Sequence, residues 1–167
     1  AELGLVKDPK GAAARVRLAH ALPEALEGAE FVQENLPELV EVNGEYAPGT
    51  IVVKTHERKL YLILDYGRAM RYPVGVGKTG KQWTGTTTID GKYRNPAWSP
   101  PSAVRRDKPD MPDVIPGGSP RNPMGEAALT LAGGEYAIHG TNVPRSVGGF
   151  VSYGCIRMYN QDVVDLY

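Results

Sequence analysis

The chain has 167 residues, enough for one domain with an appendage and a single core. Its 19 acidic and 19 basic residues balance, which argues against nucleic-acid or polybasic membrane partners, since phosphate contact needs a positive surplus. One cysteine excludes an internal disulfide, and no apolar run approaches the length that spans a bilayer. The start, Ala1-Glu2-Leu3-Gly4, shows no charged region followed by an apolar one, so no secretory signal is visible and the chain reads as mature, trimmed or incomplete.

Residues 8–42 are rich in Ala, Leu and Glu, and from Gly44 onward Gly, Pro, Thr and Tyr take over. This shift predicts an extension over residues 1–43 and a second unit over 44–167. Val16 and Leu18 alternate with arginines as in a short strand, and Pro23 suits the first position of a helix that Gly28 stops. Phe31-Val32 can begin another strand, giving the rhythm of an α/β unit. Glu30-Phe31-Val32-Gln33-Glu34-Asn35, with Pro37-Glu38, is similar to a piece of the NAD-binding domain of 3-hydroxyacyl-CoA dehydrogenases. The glycine fingerprint that would hold a pyrophosphate is missing, so no dinucleotide is expected there.

The second unit reads as β-rich. Residues 50–55 and 59–65 are β-branched and aromatic runs around His56-Glu57-Arg58, which predicts a hairpin. Residues 68–76 follow as a strand ending at Gly75 and Gly77. Gly75-Val76-Gly77-Lys78-Thr79 imitates the end of a phosphate loop, but the leading glycine of that motif would fall on Tyr72, and a strand rather than a helix follows. Residues 86–93, interrupted by Asp90-Gly91, predict a second tight hairpin. The Pro-rich stretch 95–124 has little periodicity and reads as a lid or substrate wall. Residues 127–132 and 136–139 are expected to pair across Gly133-Gly134, placing His139 at a strand end, and Asn160 is expected to cap a final helix.

Cys155 lies between Gly154 and Ile156-Arg157, sixteen positions after His139. A thiolate nucleophile needs a base or cation nearby, small neighbours and amide donors, and all are present. Cys155 is therefore the candidate nucleophile and His139 its general base, with the thiol expected to react below its free pKa of about 8.5. Gly154 and Cys155 offer consecutive amides for an oxyanion. Ser152 either orients the loop or touches substrate. Arg157 suits a substrate carboxylate, or an ion pair with Asp162 or Asp165. His20 and His56 have no spacing that implies a metal, and no cofactor is expected.

His139-Gly140-Thr141 followed by Ser152-Tyr153-Gly154-Cys155-Ile156-Arg157-Met158 resembles the signature of the L,D-transpeptidase catalytic domain, the YkuD family. Tyr72-Pro73-Val74-Gly75-Val76-Gly77-Lys78, the Thr84–Ile89 segment, Asn95-Pro96 with Trp98, Pro100 and Pro101, and the loop 115–124 extend the likeness. The resemblance implies a mainly β, sandwich-like mixed fold with few short helices. It also implies a Gly140 carbonyl that fixes the tautomer of His139, and Tyr153 stands where many relatives carry histidine. By the same resemblance the function is peptidoglycan L,D-transpeptidation. A stem tetrapeptide is held as a cysteine thioester and passed to an amine; water as acceptor (an L,D-carboxypeptidase) or an inactive wall-binding module are the alternatives. Stem peptides and carbapenem-type β-lactams are the implied partners, with neither nucleic acid nor a membrane span, and an exported, periplasmic or wall location is implied. Family members continue past the last helix to a closing strand, so a chain ending at Tyr167 is expected to be truncated there and to leave a sheet edge or core face uncovered.

Overall fold

A computed structural model of the chain describes residues 36–167. The strand, helix and strand expected over residues 16–32 lie outside the described residues. Strand β1 (Glu38–Glu41) pairs antiparallel with β4 (Arg68–Pro73), from the N-terminal side of the boundary expected at 43/44. The hairpin of β2 (Ile51–Lys54) and β3 (Lys59–Ile63) forms as its β-branched and aromatic residues predict, and β3 continues into β4. The β3–β4 turn is fixed by Asp65, whose carboxylate accepts from the Gly67 amide at 3.0 Å and pairs with Arg68. The four strands lie in the order β1-β4-β3-β2.

The second four-stranded sheet has the order β10-β8-β7-β6. It comprises β6 (Ile89–Arg94), β7 (Ala127–Leu131), β8 (Ala137–His139) and β10 (Ile156–Arg157). Strands β7 and β8 pair antiparallel across Gly133-Gly134, as expected. Asp90-Gly91 does not turn the chain. It makes an irregularity within β6 opposite Thr130 and Leu131, since a turn-forming dipeptide serves equally well as a bulge. Residues 86–88 precede that strand rather than belonging to it. A short parallel pair, β5 (Val76–Gly77) with β9 (Phe150–Ser152), lies beside the second sheet.

One core joins the two sheets. Leu60 and Tyr72 come from the first, with Val74 just beyond β4; Leu129, Leu131, Ile138 and Ile156 come from the second. Helix α2 (Asn160–Leu166) packs on β7 and β8 and adds Val163, which is fully buried, and Leu166. The last helix thus has an apolar face to bury against within this chain. Asn160 is not its cap: it is the first helical residue, preceded by Tyr159 at the cap position, and its side chain is used elsewhere.

The Pro-rich stretch is a built structure. It carries helix α1 (Ser102–Asp107), and Trp98 and Ile115 exchange backbone hydrogen bonds of 2.9 and 2.8 Å. Buried Asn122 donates to the carbonyls of Pro96 and Pro116 and accepts from Met124, so one amide side chain closes the loop upon itself. Arg105 donates to the carbonyl of Pro100 and pairs with Asp113. Among the described residues, no helix is long and apolar enough to cross a membrane.

Candidate active site

The site follows from strand register. Strand β10 runs parallel to β8, with Ile156 opposite Ile138 and Arg157 opposite His139. Side chains alternate along a strand, so the core takes Ile138 and Ile156 while His139 and Arg157 share the other face, with Cys155 one step before Ile156. Residues distant in sequence are brought together by a pairing that no local pattern displays. Strand β10 is clamped from its far side too: Gly75 and Arg157 exchange backbone hydrogen bonds of 2.8 Å each. A Cβ on Gly75 would lie 2.6 Å from the carbonyl oxygen of Ser146, so the close approach requires glycine. This is the work of the segment that imitates a phosphate loop.

His139 is buried, and its Nδ1 lies 2.6 Å from the carbonyl oxygen of Gly140. A carbonyl only accepts, so Nδ1 carries the proton and Nε2 keeps its lone pair. The carbonyl of Pro123 makes a lesser contact with the ring. Burial, with the charge of Arg157 second, pushes the imidazole pKa down to about 4, against the two carbonyls that favour its cation. The half-buried Cys155 thiol is pushed up from its ordinary value by burial, opposed by a backbone hydrogen bond from Ala137 and by Arg157. The free site therefore holds a neutral thiol and a neutral imidazole. This corrects the expectation of a thiol reactive below its free pKa: loss of water outweighs the nearby cation.

The loop between β9 and β10 is braced by Ser152. Its buried Oγ donates to the carbonyl of Cys155 at 2.6 Å and accepts from the amide of Gly154 at 3.0 Å. Of the two readings open for Ser152, this geometry is that of loop orientation. It also engages the Gly154 amide, which had been expected to face an oxyanion. Gly154 itself sits at φ +128, where a Cβ would lie 2.2 Å from a ring carbon of Tyr136. The Tyr136 ring stacks on Trp83 at 5.6 Å, and a cavity of about 660 Å³ lined by Ile51, Val53, Trp83, Ile138 and Gly154 opens beside this pair.

Arg157 makes no ion pair with Asp162 or Asp165. Its Nε is buried without a partner, Asp165 accepts instead from the hydroxyl of Tyr72 at 2.6 Å, and both carboxylate oxygens of buried Asp162 lack a hydrogen-bond partner. The guanidinium is thus left to act on the thiol and the imidazole. Sequence reasoning missed Asn160 as a part of the site. Its Oδ1 accepts from the amides of Thr141 at 3.0 Å and Glu126 at 3.3 Å, tying α2 to the strand end that carries His139 and Gly140. Tyr136, Trp83 and Pro123 were missed as well; their parts depend on contacts across the fold. A further cavity of about 520 Å³, lined by Arg94, Asn122, Glu126, Thr141 and Asn160, contains neither Cys155 nor His139. Among the described residues, no group of three His, Cys, Asp or Glu side chains is arranged to hold a metal.

The L,D-transpeptidase catalytic domain family, YkuD, matches residues 48–167. A probable L,D-transpeptidase of Escherichia coli, YcfS, is 38% identical over 127 residues, which cover 70% of this chain and 39% of that protein. Another from the same organism, YbiS, is 33% identical over 141 residues, or 80% of this chain and 45% of that protein. The chain thus spans less than half the length of these relatives. A crystal structure of a probable carnitine operon oxidoreductase, caia, from Brucella melitensis is 38% identical with a TM-score of 0.59, covering 81% of this chain and 88% of that one. L,D-transpeptidase 3 from Mycobacterium tuberculosis, solved with a faropenem-derived adduct, shares the fold at a TM-score of 0.54 and 16% identity, covering 68% of this chain and 52% of that one.

Proposed function

The chain belongs to the L,D-transpeptidase catalytic domain family, and from that premise we propose that it carries a peptidoglycan stem tetrapeptide as a Cys155 thioester and transfers it to an amine. The observation that carries this reading is the Nδ1 hydrogen bond of His139 to Gly140, which leaves Nε2 as a proton acceptor on the sheet face that Cys155 and Arg157 share. In the first half-reaction Sγ attacks the carbonyl carbon before the terminal D-Ala, and the thiol proton passes to Nε2. The amide of Cys155 is the oxyanion donor, since that of Gly154 is bound to Ser152. Collapse breaks the C–N bond, His139 returns the proton to the departing D-Ala amine, and the thioester remains. The acceptor amine then attacks the thioester carbon and gives its proton to His139. The sulfur leaves with the bonding pair and recovers that proton.

A neutral imidazole suits this cycle, because only an unprotonated ring can take the thiol proton. Arg157 stabilises the sulfur anion at both moments when it carries charge. Carbapenem-type rings present a comparable acyl bond, and the Mycobacterium tuberculosis and E. faecium relatives were solved with faropenem- and ertapenem-derived groups. The substrate places the enzyme outside the cytoplasm, in the periplasm or at the wall. Incubation with purified disaccharide-tetrapeptide, followed by mass spectrometry, tests the reading. A cross-linked dimer and a thioester adduct that Cys155→Ala abolishes are expected. Tripeptide alone would mean water is the acceptor, and a folded protein with neither product nor adduct would leave a wall-binding module.

A further inference from the structure

Three segments meet beside the loop that carries Cys155. Tyr153, two residues before the thiol, donates its hydroxyl to Asp107 at the end of α1. The ammonium of Lys78 lies over the Tyr153 ring, 4.1 Å from its centroid. The turn that begins at Lys78 closes through the Lys81 amide, 2.8 Å from the Lys78 carbonyl, and the Lys81 carbonyl oxygen would be 3.2 Å from a Cβ on Gly154. The Tyr153 hydroxyl, and after it the charges of Lys78, Arg106 and Lys81, hold the Asp107 carboxylate below the usual carboxylate range. Among the described residues, none of these three cations makes a direct ion pair. In a chain of zero formal net charge, three basic side chains thus act on one carboxylate beside the loop that carries Cys155.

We propose that Lys78, Lys81, Arg106 and the Tyr153 hydroxyl form a subsite for a peptide carboxylate, in which Asp107 is a built-in occupant that the substrate displaces. The occupant already in place defines the chemistry: a planar carboxylate that accepts from a phenol and is attracted by two basic segments. A surplus of cations around a single acid gives an incoming carboxylate a net attraction that Asp107 alone does not exhaust. Lys78 is held by its own backbone, whose amide donates to Ser152 at 3.0 Å, so the cation is anchored to the strand leading into the nucleophile loop. Tyr153 suits such a site, because a phenol can pair with a carboxylate at neutral pH without itself needing a charge.

The proposal rests on the stem-peptide reading above and names a recognition element of that substrate. Its test has two independent parts. In the first, stem donors and acceptors are compared with and without amidation of their side-chain carboxylates. Wild-type KM is expected to rise about fivefold on amidation of either the donor or the acceptor, the size of an exposed charge pair. That difference is expected to vanish in Lys78→Gln/Arg106→Gln. No amidation effect in either arm, or an effect that persists in the double variant, overturns the proposal. In the second part, Cys155 is alkylated with iodoacetate and with uncharged iodoacetamide. The ratio of the two rates is expected to fall about fivefold in the double variant, to rise in Asp107→Asn, and to flatten in high salt. An unchanged ratio overturns the subsite. A protein that turns over no stem peptide but shows the expected ratios retains the anion site and loses the transpeptidase reading.

Discussion

Withdrawal from water acts on Cys155 and His139 in opposite directions, raising the thiol and lowering the imidazole, because in each case it is the charged form that is disfavoured. Arg157 favours the sulfur anion and disfavours the imidazolium, so its removal has a computable sign at both groups. In Arg157→Gln the pH profile of iodoacetamide alkylation should move upward from a wild-type midpoint already above the ordinary thiol value. Rates measured by intact mass across pH check this, and a superimposable profile would show that the guanidinium is not coupled to the thiol. The pair itself was legible in the sequence, because the Gly-Cys-Ile-Arg block and the upstream His-Gly carry their chemistry in residue type alone. The sign of the thiol shift was not. It depends on burial, and burial is set by both sheets rather than by the flanking residues.

Helix α2 takes part in the site through a single side chain. Asn160 Oδ1 receives the amides of Thr141 and Glu126, and a Cβ on Gly125 or Gly140 would lie 2.1 or 2.3 Å from it, so these turns are glycine for the sake of that oxygen. Asn160→Ala would strand the Thr141 and Glu126 amides at a cost of about 1–3 kcal/mol, or about 5 °C in Tm. The acylation rate should fall with it, since Thr141 continues directly from His139 and Gly140. Asn160→Asp keeps the acceptor and should recover most of both losses, as thermal scans and thioester formation rates would report. A helix beginning at this point was readable from the sequence, but an asparagine at a helix start reads as a cap. Only the fold reveals that its acceptor faces another strand. The Asp90-Gly91 bulge was misread for a related reason: the dipeptide fits a turn and a bulge equally, and the partner strand decides between them.

Across the whole molecule, two buried groups give stability opposite dependences on pH. His139 falls from its ordinary value near 6.5 to about 4 in the folded state, so it contributes about 3 kcal/mol above pH 6.5 that is lost as pH drops toward 4. Asp162 is raised from 3.8 to about 6 by burial and by Asp165, so its contribution is present below pH 3.8 and is lost as pH rises through 6. The two changes overlap and largely cancel between pH 4 and 6. Asp162→Asn removes the second, so its Tm should exceed wild type by about 5 °C at pH 7.5 and fall more steeply on acidification. Parallel Tm profiles for the two proteins would refute the assignment. At this scale the β-rich character was readable from β-branched and aromatic runs broken by Gly and Pro, and the mixed sandwich from the family resemblance. The parallel β8–β10 and β5–β9 pairings were not, because they join segments whose separation leaves no local trace.

The protonated resting state of the single thiol has a consequence for durability. Peroxides and disulfides react with sulfur as thiolate, and the steps from sulfenic to sulfinic acid begin from that anion. Cys155 is half-buried, with its anion disfavoured. It is therefore a poor target for oxidants while idle, and the chain carries no second cysteine to trap it in an internal disulfide. In the free site the sulfur gains nucleophilic character only as pH rises toward its raised pKa. The sulfur is thus held, between turnovers, in the form that oxygen chemistry attacks slowly.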